Sequence, residues 1–425
     1  MQRKVSQGYM PRVCDILRQV DAFANLFFIM RVHIFDPQLN LVDGHYANYD
    51  AAVIAELQRR GIETVVYGSA RSVSTANSNL SAKPIFSRDI FDEIGRDPVT
   101  WALENFVELG AEFYSDLASV DPSGFAKSDV AFFPNIVHNQ IDAVREWVVR
   151  LPDDRRPSIV LKLSYLVHAM PFIQQRRNKE MIPILFRFVM RRITANHPRT
   201  WLCSDTEEMV KQFGEISEVP IHLLPLPLVI KDTGGQSNRD ATIMRVAYLG
   251  HTSMLKGAHL LPEIVQRVWA DGNGPHFLIQ LFANAQLCAS LKEAFAKTPP
   301  GAVTLVDNAV DAATYRKFLN EADIVLLPYA REFYGWASSG IFTEALSIGK
   351  VVVVPEGTWL ARQVEKFHAG GVIFSAFNAK SIAEAVQRAV RSLPQLTQLA
   401  STAAPEWTTY HSPRRFVDTM LSLTS

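Results

Sequence analysis

Cysteine is scarce in this chain: Cys14, Cys203 and Cys288 are the three in 425 residues. They are too few and too scattered for a disulfide framework or paired zinc ligands. That usage favours a reducing compartment, with a cytoplasmic enzyme as the default expectation. Long apolar runs are also missing. None reaches the roughly 18–20 residues that a bilayer-spanning helix needs. Near the N-terminus, Asp15, Arg18 and Asp21 interrupt any signal-like apolar core after Arg3 and Lys4. Neither sign of charge is in excess: 43 Lys and Arg balance 43 Asp and Glu. No nucleic-acid partner is expected from that balance. No short-period repeat occurs, and no paired aspartates sit in a strand-end metal motif, so no metal is expected.

What is present is an ordinary globular composition, 48% apolar and 20% charged, long enough for two or three domains. Residues 1–25 read as a helical extension. A strand over 28–35, the loop Asp36 to His45, a helix over 46–60 and a strand over 63–68 form a βαβ opening. Residues 70–128 read as polar and helical with serine-rich breaks. Buried strands follow over 129–135, 158–164, 201–205 and 221–228. The polar stretch "KDTGGQSNRDA" (231–241) is the best linker. Strands and helices then alternate again from Met244 to about residue 400. The expectation is α/β: a Rossmann-like unit over 1–230, a second over 242–400, and a C-terminal helix over 401–425 packing back on the first. Ligands of such sheets sit at the carboxyl ends of the strands, so the natural site is the cleft between the units.

The stretch Ala322 to Trp359 carries the sharpest signal. A short strand closed by Pro328 leads into an aromatic loop ending in Ser338, Ser339 and Gly340. A helix follows to Gly349, then the strand Val351 to Val354. Small residues at a helix start beyond a buried strand leave backbone N–H groups free for a phosphate. Glu344, one turn into that helix, can accept from ribose hydroxyls. Earlier, "YLGHTSMLKG" ends a strand at Gly250, continues with His251, and opens the next helix with Lys256 and Gly257. A lysine there is placed to neutralise a diphosphate.

These two motifs resemble the GT-B glycosyltransferases of the large retaining family four. Gly250, Lys256 and Gly257 keep the spacing of that family's donor-domain opening. Glu344, Ala345, Gly349, Val352 and Val353 match its second motif. "WLCSDTEEM", "HLLPLPL" and "DPQLNLVDGHYANYDAAVIAELQRRG" are similar to other stretches of the family, and the resemblance covers most of residues 28–400. It implies a GT-B fold of two Rossmann-like doubly wound domains facing a central cleft. It implies sugar transfer from a nucleotide-diphospho-sugar co-substrate to a glycan or lipid-linked acceptor, with retention and without a metal or other cofactor. The implied donor-binding residues are Gly44, His45, Gly250, His251, Lys256, Ser338, Ser339, Gly340 and Glu344. Two departures stand out. His251 replaces the family's arginine, and Trp336 occupies the place of its first acid, with Glu332 too far back by spacing.

Catalytic candidates in the first half are His138, His168 and Asp36, each just past a strand end that should face the cleft. The family often contacts the donor sugar with a histidine from this half. The stretch Gln174 to Arg192 mixes five arginines with Ile182, Ile184, Leu185, Phe186, Phe188 and Val189. It reads either as a core helix with a solvated basic face or as a peripheral contact with anionic lipid. The activity also has alternatives: a sugar-nucleotide epimerase, a phosphorylase, or a GT-B-like subunit that binds a nucleotide or glycan without turnover. Trp336 favours the last.

Overall fold

The computed structural model describes residues 30–39, 45–71, 81–90, 92–93, 100–170, 173, 179–228 and 243–425. The extension over 1–25, the linker over 231–241, Gly44, Cys14, the serine-rich 72–80 and the start of the basic stretch lie outside them. The protein is α/β, with two fully parallel sheets flanked by helices, as the alternating pattern predicts. The first sheet has strands β1 (Arg31–Phe35), β2 (Glu63–Ser69), β3 (Ala82–Phe86), β4 (Val130–Ile136), β5 (Ser158–Leu163), β6 (Thr200–Ser204) and β7 (Ile221–Leu223), in the order β3-β2-β1-β4-β5-β6-β7. The second has β8 (Arg245–Tyr248), β9 (His276–Gln280), β10 (Val303–Val306), β11 (Ile324–Leu326), β12 (Val351–Pro355) and β13 (Gly371–Phe374), in the order β10-β9-β8-β11-β12-β13.

Strands covered on both faces should be continuously apolar. β4 ("VAFFPNI") and β5 ("SIVLKL") are buried at every position. In each sheet the strand order reverses between the two central strands, β1 and β4 in the first, β8 and β11 in the second. Loops leaving such a pair run to opposite sides and open a crevice at their carboxyl ends.

Three details differ from the sequence reading. β3 is a strand inside the stretch read as helical. Its "AKPIF" is a half-exposed edge strand with a proline, so it lacks the apolar run of its neighbours. Lys256 and Gly257 do not open a long helix: two 3₁₀ turns, Met254–Lys256 and Ala258–Leu260, precede the helix Leu261–Val268, where Pro262 sits at an N-terminal position that tolerates proline. Residue 400 falls inside the helix Leu393–Tyr410, which is followed by Pro413–Thr424.

These last helices bridge the units. Trp407, fully buried, donates from Nε1 to the carbonyl of Thr343 (3.0 Å) in the second unit. Asp418 pairs with Arg60 (2.7 Å), and Phe416 packs on Tyr49 and Phe132 in the first. The largest apolar core is continuous across the junction, joining Phe133 and Leu161 to Leu327, Trp336 and Trp359.

The basic stretch is mostly core. In the helix Met181–Asn196, Ile182, Leu185, Phe186, Val189, Met190 and Ile193 are buried. Arg187 and Arg191 pair with Glu218, and Arg192 with Asp142. Of its large apolar residues, Ile184 and Phe188 are the largely exposed ones, 59% and 50%. Among the described residues no helix is long and apolar enough to cross a membrane.

Candidate active site

The exits of β8 and β11 build a cradle. Gly250 has φ +89°, a left-handed conformation that favours glycine, and its N–H donates to Gln280 Oε1 (2.9 Å). A Cβ at Gly250 would lie 2.4 Å from Ile341 Cδ1 and 3.5 Å from Lys256 Nζ. One bare backbone position is therefore shared by the lysine ammonium and the first turn of the helix Gly340–Ser347. Ser253 Oγ accepts from the Lys256 N–H (3.2 Å) and sets the turn. Gly257, φ +67°, lets that turn press on the exit of β11, where Ala330 N–H donates to the carbonyl of Leu255 (2.7 Å).

Lys256 is half-buried, and its ammonium lies 5.6 Å from the centre of the Tyr329 ring. Burial brings its pKa down to about 8; among the described residues no carboxylate opposes the shift. A desolvated cation with no counter-charge gains most from a bound anion. Ser339 caps the helix, its Oγ accepting from the Phe342 N–H (3.3 Å). The N–H groups of Gly340 and Ile341 have no intrahelical acceptor at this position, and the helix dipole adds positive potential there. One turn on, Glu344 is half-buried and accepts from the Tyr315 hydroxyl at Oε2 (2.7 Å). Burial raises its pKa, while Tyr315 and Arg316 favour its charged form.

His251 contributes less charge than expected. It is exposed beside Phe282, and partial burial together with the Lys256 ammonium lowers its pKa. Near neutral pH it is a neutral imidazole, able to hydrogen-bond but not to neutralise a phosphate. Trp336, at the place of the family's acid, is a junction residue. Its indole is buried against Phe333 (4.5 Å between rings), and its carbonyl accepts from Thr206 Oγ1 (2.7 Å). Glu332 is exposed on the short helix Arg331–Tyr334.

At the carboxyl end of the first sheet, His138 opens the helix His138–Arg150 and is 4% exposed, with its ring 5.1 Å from Phe186. Burial, then the nearby His168, depresses its pKa to about 3, so it stays neutral at working pH. His138 Nδ1 has no partner among the described residues. It borders a cavity of about 50 Å³ shared with Trp101, Asn139, Val167 and Met170, room for a water or two. His168 lies in the 3₁₀ turn Val167–Ala169, also with a pKa lowered by burial. The structure thus brings the two histidines together. His45 begins the helix His45–Arg59.

Asp36 is fully buried, accepting from Gln38 N–H (2.9 Å) and Asn135 Nδ2 (3.4 Å). Asp50, which the sequence did not single out, is beside it. Burial raises both pKa values. At Asp50 the Asp36 carboxylate adds to the rise, while the hydrogen bond from Asp50 partly offsets it at Asp36, so the pair holds a proton above the usual carboxylate range. The sign of the pH effect follows. Raised folded-state pKa values stabilise the fold at low pH, and that contribution is lost as pH rises through them. Asp50→Asn mimics the protonated acid. It is expected to raise the melting temperature at pH 8, with the gain shrinking toward pH 5. Melting curves across that range check this; a gain independent of pH would disprove the shared proton.

Sequence reasoning missed Asp50, Tyr315, Lys162 and Asp205. Lys162 had a visible signal: a lysine inside the apolar strand "SIVLKL" must have a buried partner. Among the described residues no group of three His, Cys, Asp or Glu is placed to hold a metal ion.

Comparison with protein-family models gives no match, and no curated protein matches in sequence. Solved structures do match. Sucrose-phosphate synthase from Thermosynechococcus elongatus superposes with a TM-score of 0.68 at 14% identity, covering 93% of this chain and 98% of that one. An E. coli structure described as trehalose-6-phosphate bound with UDP-2-fluoro glucose gives 0.64 at 10% identity, over 93% and 99%. HepE of Anabaena, in complex with UDP and glucose, gives 0.58 at 13%, over 92% and 99%. The fold is therefore that of the GT-B glycosyltransferases.

Proposed function

We propose that this protein is a glycosyltransferase moving a sugar from a nucleotide-diphospho-sugar to a glycan or glycolipid acceptor, with retention and without a metal. The observation that carries this reading is the convergence of Gly250, Lys256 and the N-terminus of Gly340–Ser347 on one spot at the switch point of the second sheet. A diphosphate there would meet an ammonium and two free N–H groups, which would stabilise the leaving group's charge. Glu344 would hold the ribose. The fold-mates' bound UDP, UDP-2-fluoro glucose and glucose support the same ligand class. The first unit would bind the acceptor, with His138, His168 and Asp36 at its strand ends as the polar groups nearest the chemistry. The scarcity of cysteine supports a cytoplasmic setting. A lipid-linked acceptor would bring the protein to the inner face of the membrane, where exposed Ile184 and Phe188, beside Arg187 and Arg191, would meet it.

The test is release of nucleoside diphosphate from a panel of sugar nucleotides, with and without glycan and glycolipid acceptors. Acceptor-dependent release from one donor supports transfer. A second reading, binding without turnover, is favoured by Trp336 filling the place of the family's acid with a buried indole. It predicts tight nucleotide binding and no release. Glu344→Gln is expected to weaken binding about tenfold, the scale of one hydrogen bond to a charged group. The free nucleoside diphosphate should report the loss as fully as the sugar nucleotide. A loss seen only with the sugar nucleotide would move Glu344 from the ribose to the sugar.

A further inference from the structure

A buried polar chain runs from the first unit into the donor loop. Lys162, 4% exposed on β5, donates from Nζ to Ser164 Oγ (2.8 Å) and pairs with Asp205 Oδ2 (3.3 Å) just past β6. Ser338 of the second unit donates its hydroxyl to that same Asp205 oxygen (3.3 Å). The next residue, Thr206, is fully buried and donates to the carbonyl of Trp336 (2.7 Å), while its Oγ1 also accepts from Met209 N–H (3.2 Å) to cap the helix Glu207–Ser217. On the other side, Ser164 donates to Asn135 Oδ1 (2.9 Å), and Asn135 donates to Asp36.

An ion pair buried this deeply costs desolvation that rarely returns as net stability. Hydrophobic residues would fill β5 more cheaply, so its presence needs another account. Two consecutive residues at one strand end grip the loop 336–338 at two points, directly before the capped helix start of the cradle. We propose that Asp205 and Thr206, with Lys162 orienting the Asp205 carboxylate, are positioning residues that fix the donor loop from the acceptor half. The diphosphate-binding N–H groups are then in place only when the two units are docked. This rests on the donor-site reading above. The acceptor end of the chain is Asp36, so the same contacts join the two substrate halves.

The test has two readouts. Asp205→Asn and Thr206→Val should each weaken nucleoside diphosphate binding about tenfold, and Thr206→Ser should restore it. Asp205→Asn combined with Ser338→Ala should be no worse than either alone, whereas Asp205→Asn combined with Glu344→Gln should be additive. The second readout needs no ligand: amide hydrogen exchange in the free protein. Both variants should speed exchange at residues 336–342 and leave β1 and β4 unchanged. Wild-type binding retained in both variants, or exchange raised uniformly, would overturn the positioning role. If the wild type binds no nucleotide, the donor reading fails; local exchange at 336–342 then still decides whether Asp205 and Thr206 hold the loop.

Discussion

Lys256→Ala is expected to weaken nucleoside diphosphate binding about a hundredfold. The ammonium is half-buried, lies beside Gly250 and the helix start, and among the described residues no carboxylate counters its lowered pKa. A charge-assisted contact to a phosphate in such a place is worth roughly 2–3 kcal/mol, which is the stated factor. The pH dependence has a definite sign. In the free protein the lysine loses its proton at about pH 8, whereas the bound anion favours the charged form. Affinity should be flat from pH 7 to 8, then fall by up to tenfold per pH unit above, with a proton taken up on binding. Titration calorimetry in buffers of different ionisation enthalpy measures both. Lys256→Ala should abolish the uptake. An uptake that survives in the variant would assign the titration to another group.

Gly257→Ala is expected to cost both stability and ligand. A Cβ there would lie 2.1 Å from the carbonyl oxygen of Pro328, backbone that cannot swing aside, and φ is +67°. Left-handed strain alone is about 1–2 kcal/mol for a residue with a Cβ, and the overlap adds to it, for a total of about 3 kcal/mol. Relief requires the Met254–Lys256 turn to lift off the exit of β11, carrying Lys256 away from the cradle. The variant should therefore melt earlier and bind nucleoside diphosphate at least as poorly as Lys256→Ala. By contrast, Gly61→Ala, also at positive φ but with nothing within 4 Å of the new methyl, should lose some stability and no affinity.

Much of the fold was legible because the interior strands of parallel sheets are apolar throughout. "VAFFPNI" and "VVVVP" announce themselves, and the glycines and small residues that follow strands mark the exits. β3 was hidden because an edge strand has no such run, and its lysine and proline left it inside a stretch read as polar and helical. In the site, the cradle residues were visible as motif and spacing. Their company was not. Asp36 was picked out without its partner Asp50, which comes from the helix His45–Arg59, a contact made only by packing. His138 read as a catalytic candidate past a strand end that should face the cleft; it packs against Phe186, and its charge is suppressed by burial that the sequence does not display. Trp336, which stands where the resembling family has its first acid, is a wedge in the core shared by both units. The Asp205–Ser338 contact joins residues 133 positions apart, beyond any local pattern.

The most direct test is a crystal structure with the tightest-binding member of a nucleoside diphosphate panel. The diphosphate should lie within hydrogen-bonding distance of Lys256 Nζ and the N–H groups of Gly340 and Ile341, with the ribose hydroxyls on Glu344. A nucleotide bound elsewhere, with Lys256 untouched, would contradict the account.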